Sequence, residues 1–229
     1  MAHSDPNPNP LDPWDGSVAH ARAMQDLMAK RVLARDGFRS PLRAVAGFST
    51  AMEDDGTRTR AVAVLVDAVT LDLIDAQVAH VSASTKYVPG FLSFQVMPAL
   101  LRVLDMLPQA PDLVLFDGDG IANPQRFGIA SHFGVVTGLP TIGIGNKLLL
   151  GTAADLQQVR GAYTPLRDYG EQIGWVLRSQ KDVAPIIVSP GHRVAMASAA
   201  DLVMRFTAEE RMPEPVQMAQ HLGARGVRV

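Results

Sequence analysis

The residues best suited to chemistry lie in "LVLFDGDGIANPQRFGIASHFG". An apolar run, Leu113 to Phe116, delivers Asp117 to a Gly-rich turn, and Asp119 follows two residues later. Carboxylates are hard oxygen donors, so a single strand-end loop can aim both acids at one divalent cation. A helix rich in small residues should follow, carrying Ser131 and His132. Together with Asp117 they suggest a nucleophilic triad, but neighbours on a helix diverge by about 100°. The adjacent Ser and His are therefore not read as catalytic. Asp117-Gly118 also suits a plain turn. The "GIG" at 143–145 is not a phosphate loop, because the later Gly and Lys spacing is absent.

These acids need a framework to hold them. "SVAHARAMQDLMAKRVLA" places Val18, Ala21, Met24, Leu27, Met28 and Val32 at one-sided helical spacing, with Ser17 as N-cap. "LRAVAGFSTAM" and "TRTRAVAVLVDAVTLDLIDAQVAHVSAS" read as a run of strands, the first two joined by a tight "EDDG" turn. "FQVMPALLRVLDML" returns to helical spacing, and Leu113–Phe116 is a short strand apolar on both faces. "PTIGIGNK" is a further strand, "YGEQIGWVLRS" and "APIIVSPG" a strand pair, and "HRVAMASAADLVMRF" a closing helix. With neither repeat nor linker, residues 17–229 are expected to form a single α/β domain. Residues 1–16, dominated by Asn and Pro, are expected to be a disordered or loosely packed arm.

Bulk properties set the outer bounds. Apolar residues make up 47% of the 229, enough for a substantial core. The absence of cysteine excludes disulfides and thiolate metal sites. A formal charge of -2 advertises no global affinity for nucleic acid, although a local groove can still be basic. No apolar stretch approaches the roughly 20 residues of a membrane span. Without a signal-peptide pattern, the expected location is the cytoplasm.

From about Val45 to Leu222, a collinear series of segments resembles the endonuclease V family. They are "KYVPGFLSF", "DGDGIANPQRFGIASHFGV", "LPTIGIGNKLLLG", "YGEQIGWVLRS", "VSPGHRVAMASA" and "RMPEPVQMA". The resemblance implies an RNase H-like core, a mixed sheet flanked by helices. It also implies cleavage of nucleic acid near deaminated purines, chiefly inosine, with Mg²⁺ or Mn²⁺. The family pattern supplies three carboxylates for the metal. Its Ala-Gly-Val-Asp segment is "AGFS" here, which puts Ser49 at the first position. Its Glu, two residues beyond the Phe of "LSF", falls on Val96, and only Asp117 matches. A hydroxyl is a poor, neutral substitute for a carboxylate, and valine offers no lone pair. Glu53 lies about 13 Å along the chain from Ser49 and belongs to the turn, so it is not expected to compensate.

Other positions differ too. Asn123 stands where a His usually follows the turn, and Asn146 where a Lys usually follows the Thr-Ile-Gly strand. Lys147 is its neighbour, but neighbours on a strand point to opposite faces. His192 matches the family's late metal-site residue, so Asp117 and His192 are the expected metal ligands, and Asp117, His192 and Asp119 the expected catalytic residues. Tyr87, Pro89 and Gly90 correspond to a wedge inserted at the lesion. With Gly118, Gly120, Asn123, Ser49 and Asn146 they are the expected substrate contacts. The leading reading is an endonuclease V-like pseudoenzyme that holds Mg²⁺ or Mn²⁺ weakly. It would bind nucleic acid or a nucleotide-like ligand without efficient hydrolysis. The alternatives are an active, altered-site endonuclease in repair of inosine-containing nucleic acid, and a fold recruited to a small-molecule substrate. Ser49, Asp117, Asn123, Asn146 and His192 are expected to line one pocket.

Overall fold

A computed structural model describes residues 14–83, 88 and 90–225. Its elements run α1 (Val18–Ala29), β1 (Ala44–Glu53), β2 (Arg58–Asp67), β3 (Leu73–Ser82), α2 (Leu92–Asp105), β4 (Leu113–Asp117) and α3 (Ile129–Thr137). They continue with β5 (Thr141–Gly145), β6 (Tyr163–Asp168), β7 (Glu171–Leu177), β8 (Ile186–His192), α4 (Met196–Arg205) and α5 (Glu214–Ala224). The strands form one 8-stranded sheet in the order β3-β2-β1-β4-β5-β8-β7-β6. β1, β4 and β5 are mutually parallel, and every other pairing is antiparallel. This is the mixed sheet, flanked by helices, that the resemblance implies.

Strand periodicity divides the core. Leu113 and Leu115 of β4 join Val45, Val64, Val203, Val216 and Ala219 on the side of α4 and α5. Val114 and Phe116 join Phe48, Val96, Leu100 and Phe133 on the side of α2 and α3. Burial on both faces explains why β4 reads as an unbroken apolar run. Phe48, Phe116 and Phe133 meet edge to face at 5.0 to 5.3 Å, locking β1, β4 and α3 together. The Asp112 carboxylate accepts the Arg43 and Ala44 N–H groups at 2.7 and 3.3 Å, aligning the starts of the two central strands.

Most sequence expectations are met, with local corrections. Ser17 caps α1 by accepting the His20 N–H at 3.1 Å, but the helix ends at Ala29 and leaves Val32 outside. The β1–β2 turn is a short 3-10 segment, Asp54–Gly56, with Asp54 and Asp55 at positive φ. β5 ends at Gly145, so Asn146 and Lys147 lie on a bend and strand alternation does not govern them. Trp14, within the expected arm, packs its ring 5.9 Å from Phe94, so that end of the arm is docked. The remainder of the arm, residues 1–13, lies outside the described residues.

β6 and α5 have no counterpart in the sequence reading. α5 crosses the sheet at Gly47, where an added Cβ would sit 2.0 Å from the Pro215 backbone. No side chain can yield there, because the obstacle is main chain on both sides. Gly47→Ala should therefore destabilise the fold by about 3 kcal/mol, read as a lower urea midpoint at unchanged slope. An unchanged midpoint would show that α5 does not rest on β1 as described.

Candidate functional site

The site grows from the end of β4. Beyond Asp117 the chain enters Gly118, whose φ of +151° favours glycine, and its N–H donates to Ile144 O at 3.0 Å. The turn then crosses β5 at van der Waals limits. A Cβ on Gly143 would stand 2.1 Å from Gly120 N, and one on Gly120 would stand 2.2 Å from Pro190 O. Gly120 N–H donates to Ser189 Oγ at 2.9 Å, and Ile121 N–H to Pro190 O at 2.8 Å. Asp119 O accepts the Ala130 N–H at 3.0 Å, tying the turn to the first turn of α3.

Beside this turn lies a cavity of about 340 Å³. Asp117, Asp119, Asn123, Ser93 and Thr50 supply its polar lining. Leu92, Phe127, Ile129 and Leu149 supply apolar walls. Burial raises the Asp119 carboxyl above the usual aspartate value, against the lowering effect of its hydrogen bond with Asn123. Asn123 Oδ1 accepts the Gln125 N–H at 3.1 Å, which leaves its amide hydrogens as the donors toward Asp119. Arg126, on the same loop, is held by Asp168 and Glu171, each at 2.8 Å.

His132 is buried beneath the cavity, its ring centroid 4.4 Å from that of Phe94 and 5.1 Å from that of Phe127. Its Nδ1 lies 3.0 Å from Ser93 Oγ. The serine paired with His132 is thus Ser93 on α2, whereas the adjacent Ser131 has a buried hydroxyl with no partner among the described residues. Ser93, Thr50 and Phe127 were not singled out from sequence. The available signal was weak: Ser93 precedes Val96 by three residues on the stripe of α2 that faces the sheet.

The expected site residues fall into separate groups. Asp117, Gly118, Asp119, Asn123 and Gly90 line the cavity. Ser49 neighbours Asp117 across β1 and β4, one step past the Phe48–Phe116 pair, but the lining residue on β1 is Thr50. Val96 lies three residues beyond Ser93, about 4.5 Å further along the axis of α2, and is fully buried. Gly120 is buried between strands, which suits close packing rather than substrate contact.

Asn146 is exposed, its Oδ1 and main-chain oxygen accepting from Arg211 at 3.0 and 2.9 Å. His192 pairs with Thr141, whereas Asp117 pairs with Ile144, which separates them by about 10 Å along the strands alone. The expectation of one shared pocket is therefore corrected: Asp117 and Asn123 share it, and Asn146 and His192 do not. Glu53 is taken up by Arg60 at 2.7 Å, Arg58 at 3.1 Å and His80 at 3.1 Å, away from Asp117. Tyr87 and Pro89 lie outside the described residues.

The sequence model of the family described as Endonuclease V matches residues 26–221. The chain belongs to the endonuclease V family. A Xanthomonas campestris pv. campestris relative named "Endonuclease V" is 51% identical over 212 residues, covering 93% of this chain and 90% of that protein. The crystal structure of the Streptomyces avermitilis endonuclease V superposes with a TM-score of 0.87 at 38% identity, covering 93% of each chain. A Ciona intestinalis endonuclease V, crystallised with DNA containing an inosine followed by a ribo-adenosine, shares the fold. Its TM-score is 0.77 at 21% identity, over 91% of this chain and 96% of that one.

Within this member of the family, His132 supplies a pH signature. Burial pushes its pKa from 6.5 down to about 3. The unfolded chain therefore takes up a proton below about pH 6.5 that the folded chain refuses, and stability falls as pH drops from there toward 3. Over that window His132 should contribute a slope of about 1.4 kcal/mol per pH unit. Urea unfolding at pH 4.5 to 6.5 should show a shallower dependence in His132→Gln than in wild type. Parallel dependences would place a hydrated imidazole at that position.

Proposed function

We propose that the chain binds nucleic acid, or a nucleotide-like ligand, at the Asp117 cavity and hydrolyses it at most in trace. The observation that carries this reading is the identity of two residues, Ser49 and Val96. Where the family resemblance places carboxylates, Ser49 adjoins Asp117 on the sheet and Val96 lies buried three residues beyond Ser93. A hard divalent cation takes about six oxygen ligands and favours anionic ones. The donors near Asp117 fit that demand poorly. Asp119 is disfavoured as an anion by burial, and Ser49 and Thr50 offer neutral hydroxyls. Mg²⁺ or Mn²⁺ is accordingly a weak ligand.

The cavity itself suits a nucleobase. Phe127, Ile129 and Leu92 give apolar surface, while Asp117, Asn123 and Ser93 supply polar groups around it. DNA containing inosine, bound by the Ciona relative, supports the ligand class. No helix among the described residues is long and apolar enough to cross a membrane, and we place the activity in the cytoplasm. A second reading, an altered-site endonuclease acting in repair, draws on the 51% identity to a relative named for the activity.

A cleavage time course on inosine-containing DNA and RNA with Mg²⁺ and Mn²⁺ separates the two. The proposal expects trace product, and turnover near 1 s⁻¹ would establish the second reading instead. Rescue tests the cause. Ser49→Asp with Val96→Glu puts carboxyls at the two positions where the family resemblance places them. The double variant should be less stable than wild type without metal, because a carboxylate is buried. Mn²⁺ should then raise its unfolding midpoint more than that of wild type. A folded double variant with no gain in Mn²⁺ affinity would refute the assignment of Ser49 and Val96.

A further inference from the structure

His192 was expected beside Asp117, and its displacement leaves a buried imidazole without a role at that site. It borders a second cavity, of about 400 Å³, at the opposite end of the parallel strands. Leu33 N–H donates to His192 Nδ1 at 3.3 Å. A neutral imidazole that accepts at Nδ1 carries its proton on Nε2, so the ring offers a donor there. Arg35 and Arg193 border the same cavity.

The surrounding backbone fixes Arg193. Its φ is +52°, a left-handed value uncommon for a long side chain. Arg193 N–H donates to Leu33 O at 2.7 Å, and Gly37 N–H to Arg193 O at 2.9 Å. Its Nη1 donates to Gly138 O at 3.0 Å, placing positive charge against the carbonyl end of α3. The cavity's acid, Asp36, is engaged elsewhere. Its carboxylate accepts Ala195 N–H at 2.7 Å and Ser198 O–H at 2.6 Å, capping α4. The segment leading past the cavity carries Lys30, Arg31, Arg35, Arg39 and Arg43, all exposed, against the single acid Asp36.

We propose that the cavity bordered by His192, Arg35 and Arg193 binds a phosphate-type oxyanion, either a free ion or a backbone phosphate of a nucleic acid strand. Guanidinium groups present paired N–H donors to tetrahedral oxyanions, and the lining imidazole has its Nε2–H as a further donor. The local charge is positive although the chain's formal charge is -2, so an anion is drawn to this end. The site is separate from the Asp117 cavity and does not rest on the function proposed for it.

The electrostatics also supply a readout. Burial and the neighbouring Arg193 cation hold the His192 pKa below its ordinary value. An oxyanion beside the ring would favour the imidazolium and raise that pKa. The experiment is NMR titration of the assigned His192 ring signals in the full chain, with inorganic phosphate or chloride at matched ionic strength. Phosphate should raise the His192 titration midpoint saturably, and chloride should not. Arg35→Gln, at an exposed position, should fold normally and weaken phosphate at least fivefold. Ring signals that ignore phosphate, or that shift equally with chloride, overturn the proposal, as does unchanged phosphate affinity in Arg35→Gln. Adding oligothymidylate to the phosphate-loaded protein then identifies the source. Displacement of phosphate supports a strand phosphate at the site, and retention supports a free anion.

Discussion

Where β4 ends, the chain must pass over β5 with no side chain between the two backbones. The separation is so small that a Cβ on Gly143 would be 2.1 Å from Gly120 N. This approach sets the rest of the site. It turns Asp117 and Asp119 toward one cavity, brings Asp119 O to the start of α3, and leaves Gly120 N–H for Ser189. α3 is thereby fixed, and with it Phe127 and His132. The contact is short-range repulsion, which allows almost no slack. A fold built on it can exchange the chemistry of its lining while keeping the shape of the cavity.

Burial opposes charge on one acid that lines that cavity and on the histidine packed against Ser93 and Phe127 of its lining. His132 stays neutral through burial, and Asp119 is drawn toward the neutral form for the same reason. A low-dielectric enclosure strengthens hydrogen bonds to a neutral ligand and penalises an uncompensated ion. Such an environment suits recognition of a nucleobase better than tight retention of a bare divalent cation. The guanidinium-rich cavity at the other end of the strands has the reverse character. The two ends of one sheet thus differ in the ligands that their chemistry favours.

Sequence conveyed the framework well where one periodicity dominated. β4 was legible because Leu113–Phe116 is buried on both faces, and α1 because its apolar stripe begins at a true N-cap. β6 was missed because it is a short edge strand containing Pro165. α5 was missed although Pro215 in its first turn, with Val216 and Ala219 after it, is a helix-start pattern. The site was only partly legible. Asp117, Asp119 and Asn123 share a short segment, so local chain geometry gathers them. His192 was misplaced because its distance from Asp117 depends on the β5–β8 register, which a motif does not encode. Ser93 was invisible because its tie to His132 joins two helices 39 residues apart in sequence.

The central claim is the proposal that the Asp117 cavity binds nucleic acid without retaining a metal ion tightly and without cleaving the strand. Fluorescence anisotropy of a labelled inosine-containing strand, with saturating Mg²⁺ or with EDTA at matched ionic strength, addresses it directly. Equal affinities under the two conditions, with the strand recovered intact, are the predicted result. Binding that collapses in EDTA, or a strand recovered cleaved in Mg²⁺, would contradict the account.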